Sequence, residues 1–415
     1  MYNFFHSTDS ISVIKKIVTV LFFSSWVLQI LGIILFGLQA INIISSILFI
    51  GLLYFILSTI INSILSKLSI SSELQTNILL SIKSTFITFT FLEVILRLLN
   101  LNSTYMEERT HHYSSPYNNS SNNWFHTWTN DHNLTTPEYN YSRKVNRDLL
   151  SDVNHPIKKE DNEFRIIGLG DSFTEGDGAH KDSTWLKALE RIIARNKSQQ
   201  NHTYMNAGVS GSDVFFEYIL LKEKLLKYKP DLVLLALNNS DISDVIIRGG
   251  MGRFKSDGTL IFNKAPNWEP IFAVSYLSRF VFKNALKYND ILVKRNSEKY
   301  QIARTQIFQA LKQIQELALK NNFEFVVVFH PVKDEISKGK LDLADVLSRV
   351  KKETQIVNFN LLEYFLDMEG INSSNFDQLY WEHDGHHNAL GYEKFANGIE
   401  WKMKKMNIIQ SDSSN

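Results

Sequence analysis

A chain of 415 residues is long enough for one large or two smaller folded domains with a sizeable core. Lys and Arg number 44 against 43 Asp and Glu, a balance that gives no reason to expect nucleic acid or another strongly charged partner. Cysteine is absent, which excludes disulfides, thiolate metal sites and cysteine nucleophiles together.

The first predicted elements are apolar. From Ile17 to Ser66 there is no Asp, Glu, Lys, Arg or His. As one helix this run would be about 75 Å long against a hydrocarbon core of roughly 30 Å, so it reads as two transmembrane spans, about 17–38 and 41–65, turning around Gln39–Asn42. It is too long for a cleaved signal peptide, whose apolar region is about 7–15 residues. A third stretch, about 78–99, contains Lys83, Glu93 and Arg97. Glu93 and Arg97, four apart, are expected to pair on one helical face, and the stem of Lys83 to snorkel toward an interface. The alternative for this stretch is an amphipathic helix lying on the membrane or on the next domain. Lys15, Lys16 and Lys67 flank the first two spans, which puts both ends of that hairpin in the cytoplasm; a third span would carry everything after Leu99 out of it. Residues 1–100 are thus expected to form a membrane anchor of two or three helices.

Residues 101–162 change character. The run "HHYSSPYNNSSNNWFHTWTNDHNLTTPEYNYSRK" shows neither helical nor alternating period and is expected to be a polar linker lying over the next domain. Trp124, Phe125 and Trp128 are expected on that domain's surface, with lipid head groups or a glycan as the other contacts open to them.

From 163 to about 408 strand and helix patterns alternate. "FRIIGLG", "TYMNAG", "DLVLLALN", "FEFVVVFHP" and "QIVNFN" read as buried strands; "STWLKALERIIARNK", "DVFFEYILLKEKLLKYK" and "YQIARTQIFQALKQIQELALKNN" read as helices between them. This order implies an α/β fold, a parallel sheet covered on both faces in a three-layer sandwich. The working site of such a sheet lies at the carboxyl ends of its strands, where Ser172, Asn206, Asn238 and His330 fall. Residues of about 245–298 form an insertion, and 409–415 a tail.

Ser172 stands in "IIGLGDSFTEG". A dinucleotide fingerprint would need glycine at Phe173, a phosphate loop would need Gly-Lys before the hydroxyl residue, and a G-x-S-x-G elbow fails at Thr174. What remains is a serine at a strand-to-helix turn, read either as a cap or as a nucleophile. A nucleophilic serine needs a histidine to take its proton and an acceptor to orient that histidine. In "WEHDGHHNALGYEKFA", Asp384 and His386 are two residues apart on a turn before the terminal helix, so one loop could deliver acid and base already paired.

These segments resemble the blocks of the SGNH (GDSL-type) hydrolase superfamily: "GDSFTEG" the first, "NAGVSG" the second, "NNSD" approximately the third and "DGHHNALGY" the last, in the family's order over about 164–406. The resemblance implies a flavodoxin-like fold, Ser172 as nucleophile, His386 as general base and Asp384 as its orienting acid. It also implies an oxyanion hole lined by the N–H groups of Ser172 and Gly208. The family's third block is Gly-x-Asn-Asp, and alignment on Asp241 puts Ser240 at the asparagine position. Asn238 or Asn239 would then supply the side-chain donor, Asn238 being the first residue beyond the strand; the other reading is that both asparagines only cap or turn the chain.

The Asp-x-His-x-Asn form favours His386 over His387 as base and leaves His387 as a pocket-wall or surface residue. His383, Asp384 and His387 are not expected to hold a metal, because Gly385 breaks the helix that would align two histidines four apart. "LEVILRL", "TPEYNYSRKVN" and "DSTW" are similar to segments of membrane-attached bacterial members. The insertion is expected to cover the site, and its Arg248 and Arg253 to hold an anionic substrate or to be solvated turn residues.

The whole implies a multi-pass membrane serine esterase, its catalytic domain outside the cytoplasm, acting through an acyl-enzyme on Ser172. The expected partner is an ester-bearing small molecule, glycan or lipid, with no cofactor and no nucleic acid; the sequence names no protein partner. An O-acyltransferase using the same residues, and a noncatalytic glycan-binding or assembly scaffold, stay open beside it.

Overall fold

The structure, a computed structural model, describes residues 43–68, 71–99, 104, 107, 124–195, 201–287 and 297–408. The expected span at 17–38, the start of the second and the tail from 409 lie outside the described residues. The chain divides into two compact units, Met1–Met106 with Ala265–Ile291, and Glu107–Lys264 with Leu292–Asn415.

In the first unit, α1 (Ile43–Leu65) is 23 residues without a charged side chain. Helix α2 (Ser72–Leu98) has 27 residues and is long and apolar enough to cross a membrane. It begins at Ser72, ahead of the expected 78, because Ser71 caps it by accepting the Leu74 N–H at 3.3 Å. The rings of Tyr54 and Phe86, 5.1 Å apart at their centroids, join the two helices.

Near the end of α2 the Glu93 carboxylate is 1% exposed. Its expected partner Arg97 is there, Nε to Oε1 at 2.8 Å. Glu93 also accepts the backbone N–H groups of Tyr276 (3.0 Å) and Leu277 (2.8 Å) and the Ser275 hydroxyl (2.7 Å). The first N–H groups of a helix have no partner within it, so this carboxylate caps the helix Tyr276–Asn284 from outside. The expected single insertion is therefore split. Residues 245–264 fold with the second unit, whereas the described residues of 265–291 fold with α2.

The second unit is built on five parallel strands: β3 (Glu163–Leu169), β4 (Asn201–Asn206), β5 (Leu232–Leu237), β6 (Glu324–Phe329) and β7 (Val357–Asn360), in the spatial order β4-β3-β5-β6-β7. The preceding β1 (His132–Thr135) and β2 (Asn140–Arg143) form a separate antiparallel hairpin. Successive strand residues point to opposite faces, so each strand supplies two cores. Ile166, Leu232, Leu234, Val326 and Val328 join one, and Ile167, Leu169, Val233, Leu235 and Val327 the other. Complete burial of such side chains stabilises the fold by roughly 1.5–3 kcal/mol each.

Helices cover both faces, giving the expected three-layer α/β sandwich. On one face lie α4 (Trp185–Arg195), which buries Trp185, Leu186, Leu189 and Ile193 along a single stripe, and the terminal helix Ala389–Lys405. On the other lie α5 (Val214–Leu220) and the long helix Glu298–Asn321, which buries Ile307, Phe308, Leu311 and Ile314. The helix expected over 213–229 changes form at Leu221–Leu225, a π-helical turn followed by a 3-10 turn. The wider turn admits an extra residue and lets Leu220, Leu221 and Leu225 all reach zero exposure.

The chain leaves β3 first toward β4 on one side and then crosses to β5 on the other. That reversal is a topological switch point, and it opens a crevice at the carboxyl ends of β3 and β5. Ser172 follows β3 and Asn238 follows β5.

Candidate active site

The turn after β3 is set by its backbone. Gly170 has φ +148°, and a Cβ there would lie 2.3 Å from Thr174 Oγ1 and 2.9 Å from the Ala236 carbonyl, so no side chain fits. Asp171 then caps the four-residue α3 (Ser172–Glu175), its Oδ1 accepting the Phe173 N–H at 3.0 Å. The capping role open to Ser172 in the sequence thus belongs to Asp171. The Ser172 hydroxyl is instead 2.8 Å from His386 Nε2.

His386 arrives on the turn before the terminal helix, where Gly385 takes φ +82° and Asn388 caps the helix by accepting the Gly391 N–H at 3.0 Å. Asp384 Oδ1 accepts from His386 Nδ1 at 2.5 Å, which leaves Nε2 as the acceptor for the serine proton. The two side chains are 24% and 23% exposed, so the pair is within reach of a small substrate. The His386 hydrogen bond holds Asp384 down at about 2 against the opposing effect of burial, with Tyr139 adding to it. Burial alone would lower His386. The Asp384 hydrogen bond, with the charges of Asp177, Asp384 and Asp171, outweighs it and leaves the imidazole above its ordinary value.

His387 points away from this line. It is fully buried, its Nδ1 donating to the Leu379 carbonyl (3.0 Å) and its Nε2 meeting His330 Nε2 at 2.8 Å. Both ring nitrogens are occupied, so His387 serves neither as base nor as a ligand, and it is a core residue where the sequence suggested a pocket wall or surface. Phe173 packs against His330, His386 and His387, with centroids 4.6, 4.9 and 5.5 Å away.

The expected oxyanion donors need correction. The Gly208 N–H donates to Asn206 Oδ1 at 3.0 Å, and a Cβ on Gly208 would lie 2.1 Å from the Glu175 nitrogen, so this glycine lets two backbones touch. Asn238 is buried and its amide donates to Asp171 Oδ2 at 2.8 Å, while Ser240 Oγ donates to the same oxygen at 3.0 Å. Asn239 turns toward Asp342, 3.4 Å away. Among the described residues, the N–H groups of Ser172 and Gly211, both half-buried, donate to no protein acceptor. Arg248 holds the Gly211 peptide by donating to its carbonyl.

Arg248 and Arg253 are not placed to meet an anionic substrate or to be solvated. Arg248, 4% exposed, pairs with Asp244 at 3.3 Å, and Arg253, with no exposure, pairs with Asp213 at 2.8 Å. Trp124, Phe125 and Trp128 pack on the second unit: Trp124 Nε1 donates to the Thr259 carbonyl, Phe125 is 3% exposed, and Trp128 Nε1 donates to Glu175 Oε1.

An antiparallel hairpin, β1–β2, lies within the segment expected to be only a polar linker. In β2 the exposure alternates, Asn140 and Ser142 out, Tyr141 and Arg143 in. Tyr141 Oη accepts the Gly178 N–H at 2.9 Å, and Arg143 donates to the carbonyls of Glu175 and Gly176. The signal was present in "YNYSR", where large residues alternate with small polar ones, but it is five residues long within a polar stretch.

The fold and site together define an α/β protein with a hydrogen-bonded serine, histidine and aspartate at the switch-point crevice. No family model and no curated protein matches the chain. Among solved structures it is similar to a two-domain esterase active on acetylated mannans, at 12% identity over 61% of this chain with a TM-score of 0.37, and it spans about half, 52%, of that protein's length. It is also similar to a lipase/acylhydrolase from Enterococcus faecalis (15% identity, 60% of this chain, 100% of the other, TM-score 0.37). A GDSL-like lipase from Bacteroides thetaiotaomicron is a further match (14%, 58% and 88%, TM-score 0.31).

Proposed function

We propose that the protein is a serine ester hydrolase of the SGNH type. The observation that carries the reading is the continuous line from Ser172 Oγ through His386 to Asp384, set at the sheet's carboxyl edge. As Ser172 Oγ attacks an ester carbonyl carbon, His386 Nε2 takes its proton and the imidazolium is held against Asp384. The negative oxygen of the tetrahedral intermediate faces the N–H groups of Ser172 and Gly211. Collapse breaks the carbon–oxygen bond to the alcohol, which leaves with the proton from His386. Water, deprotonated by the same histidine, then attacks the acyl-enzyme; the bond from the acyl carbon to Ser172 Oγ breaks, the serine oxygen takes the proton back from His386, and the acid is released. Loss of one oxyanion donor typically costs about 10²–10³ in turnover.

The reading extends to an anchored enzyme. With α1 and α2 as spans and one more before them, the catalytic unit lies outside the cytoplasm, where O-acylated envelope carbohydrate or lipid is the substrate class. A fluorophosphonate probe should label the full-length protein at Ser172, and Ser172→Ala should abolish labelling with an unchanged circular dichroism spectrum. Equal labelling of the variant would remove the assignment. A phosphatase fused after Asn102 should be active and a cytoplasm-only fluorescent reporter dark; the reverse pattern would put the site inside the cell.

A further inference from the structure

Resting on the serine-hydrolase reading, we propose that the 132–143 hairpin is a working part of the active site and that Tyr139 is a positioning residue for the Asp384–His386 pair. The hairpin turns tightly at Thr136–Tyr139, closed by the Thr136 N–H on the Tyr139 carbonyl at 2.9 Å, with Pro137 second in the turn and Thr136 Oγ1 accepting the N–H groups of Glu138 and Tyr139. From that turn two side chains reach the catalytic acid's loop. Glu138 accepts the His383 N–H on one carboxylate oxygen (3.0 Å) and the Asp384 N–H on the other (2.8 Å). Tyr139 Oη donates to Asp384 Oδ2 at 2.7 Å.

This arrangement fixes both oxygens of Asp384. Oδ1 faces His386 Nδ1, and Oδ2, which on a side chain 23% exposed would otherwise be left to mobile water, is held by a phenol. The phenol is itself held: its ring stacks on Tyr141 at 5.3 Å and meets Trp381 at 5.6 Å. Burial, and then the bond to Asp384, pushes its pKa far above the ordinary tyrosine value, so it remains a donor at any working pH.

The same strand edge reaches the nucleophile. Tyr141 and Arg143 share the buried face of β2 at the two-residue period of a strand, and Tyr139, the last residue of the turn before it, is joined to that face by its ring stacking on Tyr141. Tyr139 holds Asp384; Tyr141 and Arg143 hold the turn that follows Ser172 at Gly178, Glu175 and Gly176. One rigid edge therefore sets the acid's loop and the serine's turn relative to each other. Trp381 adds a second tie, donating from Nε1 to the Gly178 carbonyl (2.7 Å) and from its backbone to the His386 carbonyl (2.9 Å).

The test uses the full chain and the pH dependence of Ser172 labelling by a fluorophosphonate, with aryl-ester turnover beside it. Tyr139→Phe keeps the ring and removes the donor. Asp384 then concentrates more charge toward His386, so the acidic limb of the labelling rate should move to higher pH by a few tenths of a unit, kcat should fall roughly three- to tenfold, and KM should hold. The other charges facing His386, on Asp177 and Asp171, are the same in both proteins. Glu138→Gln keeps an acceptor for one of the two N–H groups and should retain more turnover than Glu138→Ala. Coincident limbs and equal kcat for wild type and Tyr139→Phe would overturn the inference while leaving the hydrolase reading in place. A wild-type protein that never labels at Ser172 would overturn both.

Discussion

The amide of Asn238 donates to Asp171 Oδ2 at 2.8 Å, and Asp171 is the residue that caps the helix bearing Ser172. Two positions at the ends of neighbouring strands are thereby tied together beneath the nucleophile.

Asn238→Ala should therefore act first on stability. It removes a charge-assisted hydrogen bond from a site that is 3% exposed, a loss of about 1.5–3 kcal/mol in denaturant unfolding, with turnover reduced less than tenfold. A loss of 10²–10³ in kcat at unchanged stability would instead return Asn238 to the oxyanion hole.

Turnover should rise with pH through the ionisation of His386, because only the neutral imidazole takes the serine proton. Its folded-state pKa is raised, so the acidic limb of kcat/KM should lie above the ordinary histidine value. Linkage has the opposite sense. The pairing with Asp384 stabilises the fold fully below the unfolded histidine's pKa, and that contribution is lost as pH rises through the folded value. A pH–rate profile compared with unfolding midpoints across the same range checks both signs.

His387 predicts acid sensitivity. Burial, with the Leu379 hydrogen bond opposing and the His386 charge adding, pushes it down to about 3, and burial, then the charges of His387 and His386, lower His330. A histidine with a depressed pKa favours the fold above about 6.5, and that contribution is lost progressively as pH falls toward 3. His387→Gln can still donate to Leu379 and accept from His330 but does not titrate. Its urea midpoint should fall less steeply over this window than that of the wild type.

Glu93 can be tested without touching chemistry. Glu93→Ala removes the acceptor of two backbone N–H groups and of the Ser275 hydroxyl, so hydrogen exchange at Tyr276 and Leu277 should quicken and proteolysis within 265–287 should increase. Labelling of Ser172 should be unchanged. Exchange at those two amides equal to the wild type would show that the cap contributes nothing.

The layered α/β fold was legible because its strands are short runs of Val, Ile, Leu and Phe between longer amphipathic helices, a pattern imposed by burial on both faces of a parallel sheet. The pairing of Asp384 with His386 was legible for a similar reason: both ride on one turn, and a spacing of two residues nearly fixes their distance. Glu93 and Arg97 pair because a helix repeats every 3.6 residues. In each case the partners are close along the chain or repeat with the period of the element that carries them.

What only the tertiary structure decided lies elsewhere. Whether Gly208 or Gly211 offers a free N–H depends on where the Asn206 side chain turns, and the fate of Asn238 depends on β3 lying beside β5. Arg248 and Arg253 had the composition of a substrate clamp, yet both are buried and each found an aspartate, because a desolvated cation is most costly where no carboxylate meets it. Tyr139 and Asp384 are 245 residues apart, and nothing in the polar run around the tyrosine marks the partner. Contacts of that range are set by the order of strands in the sheet and the approach of loops above it, and neither has a period that a linear sequence displays.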